Sequence, residues 1–97
     1  MLPQIEKFGN ATGQPLVSII VLNCNGAMWL PRCFETIKSQ TIISQIETVM
    51  VDNNSSDDSV AIARKHFSGF PGAIIVRNSE NLGFCEGNNS GARAATG

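Results

Sequence analysis

The 97-residue sequence is short of the features that mark several functional classes. Its seven Lys and Arg residues nearly balance its eight acids, for a net charge of -1. The cations Lys7, Arg32, Lys38, Arg64, Lys65, Arg77 and Arg93 are scattered, with no basic stripe of the kind that tracks a nucleic-acid backbone. No apolar run approaches a membrane span. The first residues lack the basic start and apolar stretch of a signal peptide. The three cysteines, Cys24, Cys33 and Cys85, are odd in number and contain no C-x-x-C pair. Neither a disulfide framework nor a zinc site is indicated, and the default reading is a reducing cytoplasm.

What is present is an alternation of short apolar runs with helical patterns. Residues 1–15 hold Pro3, Gly9, Gly13 and Pro15 without a sustained period and read as a flexible arm. Leu16 to Leu22 is a nearly continuous apolar run, the pattern of a strand covered on both faces. It ends in the turn signature Asn23-Cys24-Asn25-Gly26. A helix is predicted from about Met28 to Gln40, with Leu30, Cys33, Phe34 and Ile37 on one stripe and Pro31 in the first turn. Trp29 is expected to pack at its entrance.

A second strand is predicted over Ile46 to Asp52. Ser56 is the expected N-cap of the next helix, with Asp57 and Asp58 in its first turn. That helix carries Val60, Ala63 and Phe67 on one side. His66 lacks the partners of a catalytic histidine and reads as a surface residue. Ala73 to Val76 is the third strand. Short strand–helix–strand connections imply right-handed crossovers and a parallel sheet. The expected fold is therefore α/β, a Rossmann-like three-layer α/β/α arrangement with strand order 3-2-1 in one domain over residues 16–97.

That order brings three polar loops to one edge: Asn23 to Gly26, Asp52 to Asn54, and Arg77 to Asn81. In open α/β sheets, ligands bind outside the carboxyl ends of the strands. Asp52 stands at such an end, where a carboxylate can accept from the imide N–H of a base or from ribose hydroxyls. Capping of the following turn is an equally open reading. The last stretch carries Gly87 and Gly91 four residues apart. This small face lets either a ligand or a neighbouring backbone approach, or simply packs tightly.

Two phosphate motifs are absent. There is no G-x-x-x-x-G-K-[ST], and no G-x-G-x-x-G follows the first strand, where only Gly26 stands. A nucleotide site here would need a metal or basic groups elsewhere to hold a diphosphate.

Five segments, in order, carry a resemblance: Val17 to Val21, the Asn25-Gly26 turn, Ser39-Gln40-Thr41, Val51 to Asp57, and Asn81-Leu82-Gly83-Phe84. The chain from Leu16 to Gly97 resembles the family 2 glycosyltransferases, and Gly87-Asn88-Asn89-Ser90-Gly91 resembles their rhamnosyltransferase-like branch. The resemblance implies a partial GT-A fold and sugar transfer from a UDP- or dTDP-sugar in polysaccharide or cell-envelope glycan synthesis. It places Asp52 at the base, Asn23, Cys24 and Asn25 against base and ribose, Asn54 in the same loop, and Asn81, Gly83 and Phe84 near ribose and diphosphate. It also implies a complete enzyme that uses Mg2+ or Mn2+ and is in some members membrane-associated.

The chain departs from the family in two ways. Cys24 stands where many members carry an aromatic residue that stacks on the base. The sequence also has no Asp-x-Asp, and it stops where the family's next strand would lead to the metal motif. The expectation is thus a nucleotide-binding half, without catalytic or metal-binding residues and inactive alone. The alternative is a non-catalytic interaction module. It would form a homodimer, or join a separately encoded second half, through the exposed edge of strand 17–22.

Overall fold

A computed structural model describes residues 3–9, 15 and 17–95. It contains a four-stranded sheet and three α-helices. In chain order these are β1 (Gln4–Phe8), β2 (Val17–Asn23), α1 (Leu30–Lys38), β3 (Ile46–Asn53), α2 (Ser59–Phe67), β4 (Ala73–Asn78) and α3 (Gly83–Ala94), with a 3-10 turn at Ile43–Gln45. The sheet order is β1-β4-β3-β2. The three parallel strands lie as expected, with β3 between β4 and β2.

The fourth strand corrects the reading of residues 1–15 as a flexible arm. Gln4–Phe8 pairs antiparallel with β4, from Gln4 opposite Arg77 to Phe8 opposite Ala73. Residues 1, 2 and 10–14 lie outside the described residues. The strand escapes a reading by periodicity because it is short and largely exposed. It is held by side chains on α2: Phe8 meets Phe67 edge-on at 5.9 Å, and Glu6 takes a two-pronged contact from Arg64 at 2.7 and 3.0 Å.

Each buried strand has two faces to cover, and different helices cover them. On one face, Met50 and Ile75 pack with Leu30, Phe34 and Ile37 of α1 and with Ala63 and Phe67 of α2. Phe34, Phe67 and Phe70 form a tilted aromatic cluster there, with centroids 4.8 and 5.1 Å from Phe67. His66 leans on Phe34 at 5.6 Å, so it is half-buried rather than a free surface residue. On the other face, Val49, Val51, Ile74 and Val76 pack beneath α3. All eight residues of β3 are buried, which is why its run of β-branched and apolar residues is so nearly continuous.

Gly87 and Gly91 explain how α3 lies so close. A Cβ at Gly91 would stand 2.7 Å from Ile20 and 2.8 Å from Val51; one at Gly87 would meet Leu22 and Asn53. The small face of α3 is therefore a sheet contact, and of the two readings of these glycines packing holds.

Two local expectations need correction. Trp29 is 71% exposed and does not pack at the entrance of α1. Ser56 does not cap α2, and Asp57 and Asp58 precede the helix rather than forming its first turn. Asp57 does the capping: its Oδ1 accepts from Ser59 N at 2.9 Å and from the Ser59 hydroxyl. A carboxylate one residue further back than an ordinary cap takes the orphan N–H of Ser59, the first helical residue.

Candidate functional site

The carboxyl ends of β2, β3 and β4 lie side by side because the strands are parallel and in register, with Asn23 opposite Asp52 and Asp52 opposite Arg77. Strand alternation then divides the polar residues between the two faces of the sheet. Asn23 and Asp52 share the face covered by α1 and α2, and Asn53 and Asn78 share the face covered by α3.

Asp52 is 3% exposed and sits in a small network. Its Oδ1 accepts from Asn23 Nδ2 at 3.0 Å and from the Ser55 hydroxyl at 2.6 Å. Its Oδ2 accepts from the Ser55 backbone N–H at 3.0 Å. The Ser55 hydroxyl in turn accepts from Asn23 Nδ2 and from the Asn25 N–H. The capping reading of Asp52 holds, since its carboxylate closes the turn onto Ser55 at the end of the strand. An ionised carboxylate offers about four lone-pair positions. Three donors fill three of them, and Oδ2 accepts one of the three.

A second network ties the loop after β2 to the loop after β3. Asn25 has a left-handed backbone, with φ 57°. Its side-chain oxygen accepts from the N–H groups of Ser56 at 2.7 Å and Asp57 at 3.3 Å. Asp57 returns the link by accepting from the Ala27 N–H at 3.1 Å. Hydrogen bonding from Ser59, with the backbone N–H of Ala27 assisting, holds the Asp57 carboxyl below its usual value. Asn54, also left-handed at φ 62°, is exposed at the tip of the second loop. Asparagine tolerates this conformation better than most residues.

The third loop is pinned at two points. Asn81 Nδ2 donates to Cys24 Sγ at 3.6 Å, and its oxygen accepts from the Gly83 N–H at 2.8 Å. The Gly83 carbonyl accepts from Asn53 Nδ2 at 3.2 Å, and Asn53 Oδ1 accepts from Asn78 at 2.8 Å. Gly83 has φ 81°, a conformation that favours glycine. Phe84 follows at the start of α3 and is 74% exposed.

The structure therefore brings Asn23, Cys24, Asn25, Asp52, Asn81 and Gly83 into two hydrogen-bonded sets at one end of the sheet. Asn54 and Phe84 stand beside them, exposed. Sequence reasoning missed Ser55, Asn53 and Asn78. For Ser55 the signal was available, because a serine three residues after an aspartate at a strand end can close a turn onto it. For Asn53 and Asn78 it was strand parity, which places two buried amides on the face opposite Asp52.

Among the described residues, no group of three His, Cys, Asp or Glu could hold a metal ion. Asp57 spends its oxygens on Ala27 and Ser59. The described residues do not fit a divalent-metal site. No helix among the described residues is long and apolar enough to cross a membrane.

Comparison with known proteins bears on the same residues. The profile of glycosyl transferase family 2 matches residues 18–97. A chondroitin synthase of Escherichia coli is 31% identical over 94 residues, covering 95% of this chain and 13% of its own length. A PGL/p-HBAD biosynthesis glycosyltransferase of Mycobacterium bovis is 32% identical over 83 residues, 86% of this chain and 32% of that protein. Glycosyltransferase AglE of Haloferax volcanii is 31% identical over 84 residues, 86% of this chain and 28% of that protein. The chain thus spans about a third or less of these relatives. The matches establish the family and not its rhamnosyltransferase-like branch. By the extent of the profile match, and in keeping with its α/β architecture, the chain belongs to glycosyl transferase family 2.

Proposed function

We propose that this chain is the nucleotide-binding half of an enzyme that transfers a sugar from a nucleoside diphosphate sugar to an acceptor in polysaccharide or cell-envelope glycan synthesis. The observation that carries the reading is the Asp52 carboxylate at the end of the central strand, whose Oδ2 accepts a single hydrogen bond, from the Ser55 N–H. A single remaining acceptor suits one N–H donor, such as the imide of uracil or thymine. It suits a pair of ribose hydroxyls less well. In this reading Asn23 holds the carboxylate, and Cys24, Asn25 and Asn54 border base and ribose. Asn81 and Gly83 border the ribose and diphosphate, and Phe84 borders the nucleotide next to them.

Inverting sugar transfer needs a base near the acceptor hydroxyl and neutralisation of the leaving diphosphate. We assign no residue here to either role. The Mg2+ or Mn2+ of the complete enzyme belongs to residues outside this set, and the isolated chain is inactive. The test is an NMR titration of the 97-residue chain with UDP, dTDP and CDP, without metal. UDP and dTDP are expected to shift the amides of Asn25, Asp52 and Ser55, and CDP, whose ring N3 carries no hydrogen, to leave them in place. Equal shifts with CDP, or none with any of the three, would overturn the assignment of Asp52.

A second reading rests on β2. It is the terminal strand of the described sheet. Beside it an apolar groove of about 430 Å³ is lined by Ile19, Val21, Trp29, Cys33 and Ile37. An unpaired edge beside apolar surface is a pairing site for another chain. In this reading the module self-associates or takes a second half there. Light scattering over a concentration series decides: a monomer throughout removes self-association.

A further inference from the structure

The register between α3 and the sheet gives Phe84 a place that its exposure alone does not. Gly91 lies on Ile20 and Val51, and Gly87 lies on Leu22 and Asn53. Moving back four residues along the helix therefore moves forward two along each strand. The match is geometric, since four helical residues rise about 6 Å and two strand residues about 6.6 Å. Phe84 is seven residues before Gly91, and an α-helix drifts only about 20° over seven residues. Phe84 thus projects on the side of α3 that Gly91 turns toward β2 and β3. At that level the strands have already ended, at Asn23 and Asn53. This is why a residue on the sheet-facing side of the helix is 74% exposed. The loop just before it is tied to the ends of those strands by two hydrogen bonds: Asn81 to Cys24 at 3.6 Å, and Asn53 to the Gly83 carbonyl at 3.2 Å.

We propose that the Phe84 ring is the stacking surface for the pyrimidine base of the nucleotide, above the loops at Cys24 and Ser55. The proposal rests on the nucleotide-binding reading and names the residue that supplies the base with an aromatic face. Cys24 offers little area of its own for this purpose, and its sulfur already accepts from Asn81. The edge of the base meets Asp52 and its face meets Phe84, so recognition divides between a carboxylate held on one side of the sheet and a ring carried by the helix on the other.

The experiment is a UDP titration of the 97-residue chain and its Phe84→Leu, Phe84→Trp and Asp52→Asn variants. Amide spectra check the fold, and intermolecular NOEs are recorded from uracil H5 and H6. Stacking on a side chain contributes enough that Phe84→Leu is expected to weaken UDP about tenfold, with Phe84→Trp binding at least as well as the parent. NOEs from the uracil protons to the Phe84 ring are expected in the parent chain. If Phe84→Leu binds UDP as the parent does while Asp52→Asn does not, the stacking role falls and the nucleotide reading stands. If both Phe84 variants weaken binding equally and no ring NOE is seen, Phe84 only shapes the loop and the proposal falls. If the parent chain binds no UDP, both readings fall together.

Discussion

At the scale of the residue, the loops at the sheet end are held by small polar side chains bonded to one another and to backbone N–H groups. Asn25 shows this best. Its left-handed backbone carries strain for any side chain, and its oxygen gathers N–H groups from Ser56 and Asp57. Asn25→Ala loses those bonds and keeps the strain, and is expected to lower unfolding stability by about 2 kcal/mol in urea titrations. Asn25→Gly relieves the strain and should lose clearly less.

Asp57 makes the local order pH-dependent. Its folded-state pKa is depressed, chiefly by the bond from Ser59, from an ordinary value of 3.8. Its contribution is therefore fully present above that value and is lost as pH falls through the lower folded one. Glu6 behaves alike, depressed by its bond from Arg64 from an ordinary 4.5. In acid titrations followed by thermal melting, Asp57→Asn and Glu6→Gln should each flatten the loss of Tm below about pH 4.5.

At the scale of the element, β3 and α3 carry the architecture. Thr48, in the middle of β3, is fully buried, and its hydroxyl has no hydrogen-bond partner among the described residues. Thr48→Val replaces an unsatisfied hydroxyl by a methyl of the same shape, and should raise stability by about 1 kcal/mol in denaturant titration. Gly87→Ala should do the reverse. Its Cβ would stand 2.5 Å from Leu22 and 2.7 Å from the Asn53 amide, which holds Gly83. The gain in helix propensity, about 1 kcal/mol, is outweighed by overpacking of about 1 to 3 kcal/mol. The same substitution should shift the amides of Gly83 and Phe84, because Asn53 can no longer reach the loop.

The three parallel strands were legible in the sequence, because strands covered on both faces must be apolar throughout. β1 was not, because its hold on the sheet comes from Glu6 meeting Arg64 and Phe8 meeting Phe67, partners 58 and 59 residues away. The placement of Asp52 at a strand end was legible too. The direction of its hydrogen bonds was not, since a run of asparagines and serines does not reveal which side chain turns inward. The small face of α3 was legible as a surface for close approach, but only the register showed that Ile20, Leu22, Val51 and Asn53 make that approach.

At the scale of the whole molecule, acids crowd the end of the sheet where the candidate site lies. Asp52 stands near the end of β3, and Asp57, Asp58, Glu80 and Glu86 stand on the loops or first helical turn that follow the strands. Arg77, the cation at that end of β4, donates to Gln4 and lies close enough to Glu6 to lower its pKa. A bound diphosphate would therefore meet a field of its own sign. Ionic strength screens such a field, with a Debye length of about 10 Å at 0.1 M. Added monovalent salt should then tighten UDP binding and leave uridine unaffected, the opposite of the behaviour of a phosphate site built from lysines. Isothermal titration at low and moderate salt would show it. If these residues hold the donor as proposed, the phosphates are the part of it that they do least to hold, and the base is the part by which it is recognised.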